Sequence, residues 1–598
     1  MQPRTCWNRR SSGKPGPQVH DPVWDLPRER APRRLIDDFP NLPPLVVHLA
    51  AWRLRALGGS PDDGDSTSAA WPDAAALQDF LYPAPTATLP PCEISRLAEA
   101  AARLKLAVAR GEIVGIHGDY DVDGVTSAAL LTTWLTGLGL RVETVLPNRL
   151  IDGYGLSVRA LEDLAARGCR LVVVVDCGIT AVAEAQRARQ LGVELIVLDH
   201  HAPGPVIPDV ELLVDPKLPG ADVADRCLAA VGLAYRLCEA MAQAGVGDLP
   251  ALNQLLDLVA LGTIADVSPL TGQNRVLVSR GLDVLRHSRR PGVTALASTA
   301  RISLARLSAE DVGFRLAPRL NAAGRLGDPK PAYELLMTVD PGRAAVLASE
   351  LDRLNRQRQS LTEDALAAAL AQLGNVNGTP KLLMATGTDW HLGIVGLVAG
   401  KLAERYHRPA IALTTTAQGY VGSARSIEGF DIAAALNACH DLLLKVGGHS
   451  RAAGLSLEEA SLAPLRDRLL ALADEQISAD QMRAHLTADA RVLLKTLTPD
   501  LLHAIERLGP FGEGNRPPLL QAEGLEIAAV NRVGNERQHV QLRFRQEHIV
   551  QKAVQFNAEP TAIPVVGSHV DVLFAPQLDL FDGAERVELR VVAMRAAR

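Results

Sequence analysis

Short apolar runs of five or six residues recur between stretches whose apolar positions repeat every three to four residues, beginning near residue 112 of the chain. The runs EIVGIH (112–117), RVETVLP, LVVVVD (171–176) and ELIVLD (194–199) alternate with VTSAALLTTWLTGLG, SVRALEDLAARG and AVAEAQRARQLG. Continuous apolar strands alternating with amphipathic helices predict a parallel sheet covered on both faces, an α/β doubly wound fold. CLAAVGLAYRLCEAMAQAG and LNQLLDLVALGTIAD then read as helices, and helical patterning continues to about residue 340. From Gly342 to Gly374 there is no internal Gly or Pro. An uninterrupted helix there would span roughly 45 Å, enough to connect two domains.

A second, smaller α/β unit follows: strands KLLMATG, PAIALTT and YVGSARSI, helices GIVGLVAGKLAERY and DIAAALNACHDLLL, then GGHSRAAGLSL. Beyond Leu520 the period changes to alternation in EIAAVNRV, HVQLRFR, IVQKAVQF, HVDVLFAP and VELRVVAM. Five such strands with little helix between them suit a small closed barrel of the OB type. The expected division is an N-terminal segment, partly irregular (1–75), an α/β domain (76–340), a connecting helix (341–375), the smaller α/β domain (376–480) and the barrel (490–598).

Composition narrows the class. At 598 residues and 47% hydrophobic, the chain has material for several cores. No apolar stretch approaches the ~20 residues of a membrane span, and the charged N-terminus has no apolar segment after it, so no membrane association is expected and the cytoplasm is the expected location. Seven cysteines without C-x-x-C spacing make neither a disulfide framework nor a thiolate zinc site, and Cys177, Cys227 and Cys238 read as reduced core residues. A net charge of −6 argues against a generic nucleic-acid binder, although basic groups can gather locally. Taken alone, Arg286, Arg289 and Arg290, or Arg353, Arg356 and Arg358, read as solvated helix faces. So do Arg9, Arg10, Arg33 and Arg34 as part of a tail.

Candidate chemistry concentrates where the first strands end. HGDYDVDG puts Asp119, Asp121 and Asp123 behind the first, Asp176 follows the third, Asp199, His200 and His201 follow the fourth, and Asp266 closes the run LVALGTIAD. Ligands of doubly wound sheets bind at that edge, and so many like charges need cations beside them. Carboxylates mixed with imidazoles and without thiolate favour Mn²⁺ over Zn²⁺ or Fe²⁺, with Mg²⁺ able to substitute, and there are ligands for two ions. Two such ions suit phosphoester hydrolysis. Each Asp at a strand end could instead cap the next helix. A calcium loop starting at Asp119 fails, because its twelfth position is Leu130 and its setting is strand then helix.

In this order GDYDVDG, VVVVDCGI, LDHH and GTIADV resemble the motifs of the DHH phosphoesterases, and RLNAAGR (319–325), GSARS (422–426) and GGHSRAAGLS resemble the branch of that family comprising bacterial single-strand-specific 5′ exonucleases. The resemblance runs from about residue 75 onward. It implies that the smaller domain is of the DHHA1 type and that Asp121, Asp123, Asp176, His200 and Asp266 hold two Mn²⁺ or Mg²⁺ ions, with Asp119 and His201 in or beside that shell. His117 has the spacing of a metal ligand in related pyrophosphatases but lies outside the branch's motif. His449 would contact the scissile phosphate beside Gly447 and Gly448. Ser423 and Arg425 would grip a 5′ phosphate, while Arg319, Asn321 and Arg325 would line the strand's path. No organic cofactor is implied.

The expected activity is 5′ to 3′ hydrolysis of single-stranded DNA to 5′ mononucleotides in recombination and repair, by a monomer that meets a single-strand-binding protein and a RecQ-type helicase. In the barrel Phe544, Phe556, Phe574 and Phe581 read as core rather than as stacking platforms. Two other readings stand beside this one: a DHH-family oligoribonucleotide or cyclic-dinucleotide phosphodiesterase, and a catalytically silent DNA-binding scaffold.

Overall fold

In the computed structural model the described residues are 22–26, 29–58, 70–83, 93–149, 151–153, 155–218, 226–374, 380–534, 538–556, 558, 565–579 and 584–597. Those within Thr88–Met482 form one compact unit, and those within Arg10–Ala87, Arg483–Phe511 and Asn515–Arg598 form a second. Of the sequence expectations, Arg9, Arg10 and Phe581 lie outside the described residues.

The first unit begins with a wholly parallel sheet of five strands: β1 (Ile113–Gly118), β2 (Arg141–Val145), β3 (Leu171–Val175), β4 (Glu194–Leu198) and β5 (Leu212–Val214). Their spatial order is β2-β1-β3-β4-β5. Strand order therefore reverses between β1 and β3, and a crevice opens there at the carboxyl edge. Helices α1 (Val122–Gly137), α2 (Val158–Ala166) and α3 (Val182–Gln190) make the crossovers. β3 is buried at every position, because it lies between two helical layers and meets no water on either face. α1 is buried nearly all round, with α4 (Ala230–Gln243) and α5 (Leu256–Ala265) packed against it. β5 escapes the sequence reading, since three residues are too few to show a period.

A helical span ending in α6 (Ala317–Leu326) leads to α7 (Pro341–Leu373), a single helix of 33 residues. Asp340 caps it, its side chain accepting from Gly342 N. The smaller α/β body then contains β6 (Leu383–Gly387), α8 (Leu392–Tyr406), β7 (Ala410–Thr416), β8 (Gly419–Arg425), β9 (Lys445–His449) and β10 (Ala452–Leu457). Its sheet has the order β9-β10-β8-β7-β6, with β6 and β7 parallel and the rest antiparallel. The glycine-rich GGHSRAAGL is a hairpin whose outer strand β9 ends on His449.

The second unit is built on a closed barrel of β11 (Leu520–Val533), β12 (His539–Gln546), β13 (Ile549–Gln555), β14 (His569–Asp579) and β15 (Arg586–Ala596). The strands pair in the cycle β11-β12-β13-β15-β14-β11, which leaves no free sheet edge. Phe544 and Phe574 are fully buried in its core, as expected. Phe556 differs. It lies only partly buried, edge-on to His539 at 5.3 Å, with the Arg590 guanidinium 5.8 Å above its ring.

The same core takes in Leu35, Val46, Leu49 and Leu77 from the N-terminal helices Arg33–Asp37, Pro44–Gly58 and Ala74–Leu81. A strand at Val23–Asp25 pairs in parallel with His485–Thr487. Leu49→Ala is therefore expected to destabilise the barrel by about 2–5 kcal/mol, comparable to a substitution in the barrel itself such as Phe544→Ala. Denaturant unfolding of the full chain checks this; an unchanged transition for Leu49→Ala would show that the shared core contributes nothing.

Candidate metal centre and phosphate pocket

The turn after β1 carries three carboxylates, and each is held differently. Asp121 is the N-cap of α1, its Oδ1 accepting from Asp123 N at 2.9 Å and Gly124 N at 3.2 Å. Asp123 faces inward, accepting from Ala230 N at 2.7 Å and Val231 N at 2.9 Å at the start of α4. Asp119 is buried, and its Oδ1 has no hydrogen-bond partner. The turn closes tightly: a Cβ on Gly124 would lie 2.4 Å from Asp119 N, so only glycine fits there.

Asp176 follows β3 in left-handed backbone, φ 63°, with its amide donating to Leu198 O. That geometry suits few side chains, and here it turns the carboxylate toward the loop of β1. Asp176 Oδ1 lies 3.2 Å from His200 Nε2, and its Oδ2 is buried without a partner. Asp266 caps the C-terminus of α5 and accepts from Ser268 Oγ at 2.6 Å. His200 Nε2 also approaches Asp123 Oδ2 at 3.7 Å and Asp266 Oδ2 at 4.0 Å.

Asp199, noted in the sequence at the strand end, was given no role there. It is fully buried, with Oδ1 accepting from His200 N, His201 N and His201 Nδ1 at 2.7 Å, and Oδ2 accepting from Ile179 N at 2.9 Å. It thereby fixes both imidazoles that follow it. Burial would raise its pKa, but the His201 hydrogen bond and charge hold it down at about 2. Burial opposes protonation of His201, but the Asp199 hydrogen bond and charge prevail and push its pKa up to about 9. His200, buried beside that cation, is held down at about 3 and stays neutral.

These groups gather into three overlapping sets: Asp119, Asp121 and Asp176; Asp123, His200 and Asp266; and Asp176, His200 and His201. Within each set, one ligand atom per residue lies within 4.8 Å of the others. Burial and mutual repulsion raise Asp119, Asp123 and Asp176 well above the usual carboxylate range, and Asp266 to about 6. Oxygen and imidazole donors, two of them buried carboxylate oxygens with nothing to bond, fit two hard or borderline divalent cations. His117 stands outside all three sets: its Nε2 lies 3.4 Å from Gly155 O, and burial lowers its pKa to about 4.

A group of basic side chains adjoins this centre within the same unit. Asn321 Oδ1 accepts from Val122 N at 3.3 Å, and Gly324 of α6 packs on Tyr120 O so closely that a Cβ would lie 2.2 Å away. A Cβ on Gly393, at the start of α8, would lie 1.8 Å from Arg325 O, so the smaller α/β body meets α6 there. On β8, Ser423 Oγ and Arg425 sit over Gly396 of α8, where an added Cβ would meet them at 3.3 Å and 3.1 Å. Arg325 is held down at about 10 by burial and by neighbouring Arg149 and Arg358, and Arg425 is lowered by burial and by Arg149. His449, exposed at the end of β9, is lowered by burial and by the charges of Arg425, Lys217 and His201.

Arg149 was not expected. It lies 5.1 Å over the Tyr120 ring in the loop PNR after β2, where the sequence carries no motif to single it out. Arg319 is brought elsewhere: Asp352 Oδ1 on α7 holds its Nε at 3.0 Å. The solvated-face reading of the arginine clusters holds only in part. Arg290 forms a mostly buried pair with Asp257 at 2.7 Å, Arg286 donates to Leu307 O, and Arg358 donates to Asn355 Oδ1 near Arg319 and Arg325.

Sequence profiles of known families match the same three regions: the DHH family, N-terminal domain, at 113–263; the DHHA1 domain at 379–479; and the RecJ OB domain at 488–593. The chain is 34% identical to the single-stranded-DNA-specific exonuclease RecJ of Salmonella typhimurium over 84% of its own length and 90% of that protein. It is 35% identical to RecJ of Bacillus subtilis over 86% of its length, spanning 65% of that relative, just under two thirds. Among solved structures it is similar to RecJ of Thermus thermophilus in complex with Mn²⁺, with TM-score 0.80, 29% identity, and coverage of 96% of this chain and 80% of that one.

The sign of the pH response follows from these groups. A proton held more tightly by the folded chain than by the unfolded one contributes stability that is lost as pH rises through the folded value. Without metal, the melting temperature is expected to fall from about pH 6.5 to about pH 9, as His201 gives up its proton and loses its charge. Since the ligands bind metal only when deprotonated, the rise in melting temperature on adding Mn²⁺ should grow across that window. Thermal melts with and without Mn²⁺ test it; a constant or shrinking increment would contradict the assignment.

Proposed function

Because the chain belongs to the RecJ family of single-stranded-DNA-specific exonucleases, we propose that its sheet-edge centre and basic pocket together degrade single-stranded DNA from the 5′ end, releasing 5′ mononucleotides. One observation carries the reading. The carboxylates and imidazoles meet at the strand-order reversal, and the cations Arg149, Arg325 and Arg425 gather next to them. The protein is a metal-dependent hydrolase, and Mn²⁺ or Mg²⁺ fits its donor set.

Asp121, Asp123, Asp176, His200 and Asp266 would hold two ions, with Asp119 joining Asp121 and Asp176. Bound there, the ions would supply Lewis acidity at phosphorus and a water acidic enough to serve as nucleophile. The chain's own groups do the rest. Asp199 fixes the rings of His200 and His201, so that neutral His200 presents Nε2 to the centre while His201 keeps its proton. Ser423 and Arg425, with Arg149 and Arg325, would receive the terminal 5′ phosphate, Arg through its planar fork. His449 would contact the scissile phosphate from the end of β9, where Gly447 and Gly448 let backbone approach closely. Asn321 steadies the turn after Asp121, and Arg319, paired with Asp352, would act on the path only through α6 and α7.

A pocket that ends on a terminal phosphate explains action from an end. The barrel would hold the strand beyond the cut, largely through its backbone. A monomer working in the cytoplasm, in recombination and repair, with a single-strand-binding protein and a RecQ-type helicase, completes the reading; no helix among the described residues is long and apolar enough to cross a membrane. The small-substrate and silent-scaffold alternatives are not favoured, since the chain carries the RecJ OB domain and a full carboxylate set.

End-labelled digestion tests it. With Mn²⁺, 5′-phosphorylated single strands should be shortened from the 5′ end and blunt duplex should persist, while Asp176→Ala should leave no activity above background. Shortening from the 3′ end, or equal cutting of duplex, would overturn it. Arg425→Ala should lower kcat/KM on 5′-phosphorylated strands by about tenfold to a hundredfold, the worth of a charged hydrogen bond, and far less on 5′-hydroxyl strands. Equal losses on both would remove Arg425 from the pocket.

A further inference from the structure

Helix α8 begins on a histidine. His391 is its N-cap residue, in extended backbone, and the ring nitrogen Nδ1 accepts from Gly393 N at 3.0 Å. Asn, Asp, Ser and Thr do this work more commonly and with fewer atoms. A histidine meets the same need and adds a second nitrogen on the far side of its ring. Because Nδ1 is the acceptor, the neutral ring carries its proton on Nε2 and can donate from there. Burial and the charge of Arg149 lower the pKa of His391, which keeps the ring in that neutral form. Among the described residues Nε2 has no hydrogen-bond partner, and the side chain is only partly buried.

The first turn of α8 brings this ring to the basic groups. Gly393 and Gly396 are three residues apart, so they share one face of the helix and clear it of side chains. A Cβ on Gly393 would lie 1.8 Å from Arg325 O and 3.1 Å from His391 Nδ1. A Cβ on Gly396 would lie 3.1 Å from Arg425 Nη2 and 3.3 Å from Ser423 Oγ. The two glycines are about 4.5 Å apart along the axis. Within less than one turn, the cleared face therefore meets the His391 ring, the backbone of Arg325, Ser423 and Arg425. The loop ahead of the cap is pinned as well: Trp390 covers Gly387, where a Cβ would lie 2.3 Å from its ring, and packs against the core of the smaller α/β body. An anion held beside this turn also meets the positive end of the α8 dipole.

We propose that His391 donates a hydrogen bond from Nε2 to the terminal 5′ phosphate received by Ser423 and Arg425. This rests on the exonuclease reading above and adds a residue that recognises the end of the strand. Arg149, Arg325 and Arg425 already crowd one another as cations. A neutral donor adds a directed hydrogen bond without adding to that repulsion. It also sharpens the choice of end, because a 5′ hydroxyl would leave the donor without its acceptor.

Two substitutions separate the cap from the donor. His391→Asn keeps an oxygen in the capping position and removes the distal nitrogen. His391→Gln sets an amide nitrogen near the place of Nε2 and gives up the cap. Both are compared with wild type in the full chain with Mn²⁺, on one single-stranded oligonucleotide bearing either a 5′ phosphate or a 5′ hydroxyl. His391→Asn should melt close to wild type and lower kcat/KM about tenfold on the phosphorylated strand, and far less on the hydroxyl strand. His391→Gln should melt lower yet keep most of the preference for the phosphorylated strand. Equal losses on both strands for His391→Asn would mark a structural role, and no loss on either would take His391 away from the phosphate; both overturn the proposal. If the wild-type chain degrades neither strand, the exonuclease reading fails. The ratio of affinities for the two strands without metal, compared between wild type and His391→Asn, then decides the contact by itself: a smaller preference for the phosphorylated strand upholds it, and an unchanged ratio overturns it.

Discussion

Repulsion among buried carboxylates governs this molecule. Asp119, Asp123 and Asp176 lie almost wholly out of water in ligand sets that overlap through Asp176 and His200, and two of their oxygens have no donor. Left to themselves such groups take up protons rather than ionise together. Everything near them reads as a response to that fact. The strands run parallel so that their carboxyl ends coincide; α4 lends two amides to Asp123; Asp199 is kept apart by four hydrogen bonds of its own. The basic groups Arg149 and Arg325 adjoin the cluster at Tyr120 and Asp121.

The overall charge is therefore a poor guide to what the protein binds. The net −6 coexists with a local surplus of cations at Arg149, Arg325 and Arg425, none of which takes part in the salt bridges found among the described residues. On the barrel the opposite holds for several basic groups. Lys552 lies 2.8 Å from both Asp579 and Glu588, Arg545 pairs with Glu526, and Arg595 with Asp571. Positive charge without a carboxylate partner among the described residues thus accumulates beside the carboxylate cluster.

Much of the catalytic architecture was legible in the chain, for a local reason. A strand covered on both faces has no polar position to interrupt it, so LVVVV announces itself, and the carboxylates directly behind such runs must share the sheet's edge. What escaped depends on partners distant in sequence or on elements too short to show a period. Arg149 matters through Tyr120 and Arg425; the engagement of Arg319 is set by Asp352; β5 has three residues. Asp199 sat in plain view within LDHH, but its task is hydrogen bonding to its own neighbours, which residue type alone does not disclose. The N-terminal helices looked peripheral because the leucines they pack against arrive more than four hundred residues later.

That last pairing has a temporal side. Emerging from the ribosome, Leu35, Val46 and Leu49 come before any part of the sheet-edge centre, whereas Phe544 and Phe574 come after all of it. Domains tend to fold as their residues are synthesised, so the nuclease unit can close while the earlier helices still lack the barrel that will cover them. For that interval their apolar faces have no barrel to pack on, which is when aggregation competes with folding.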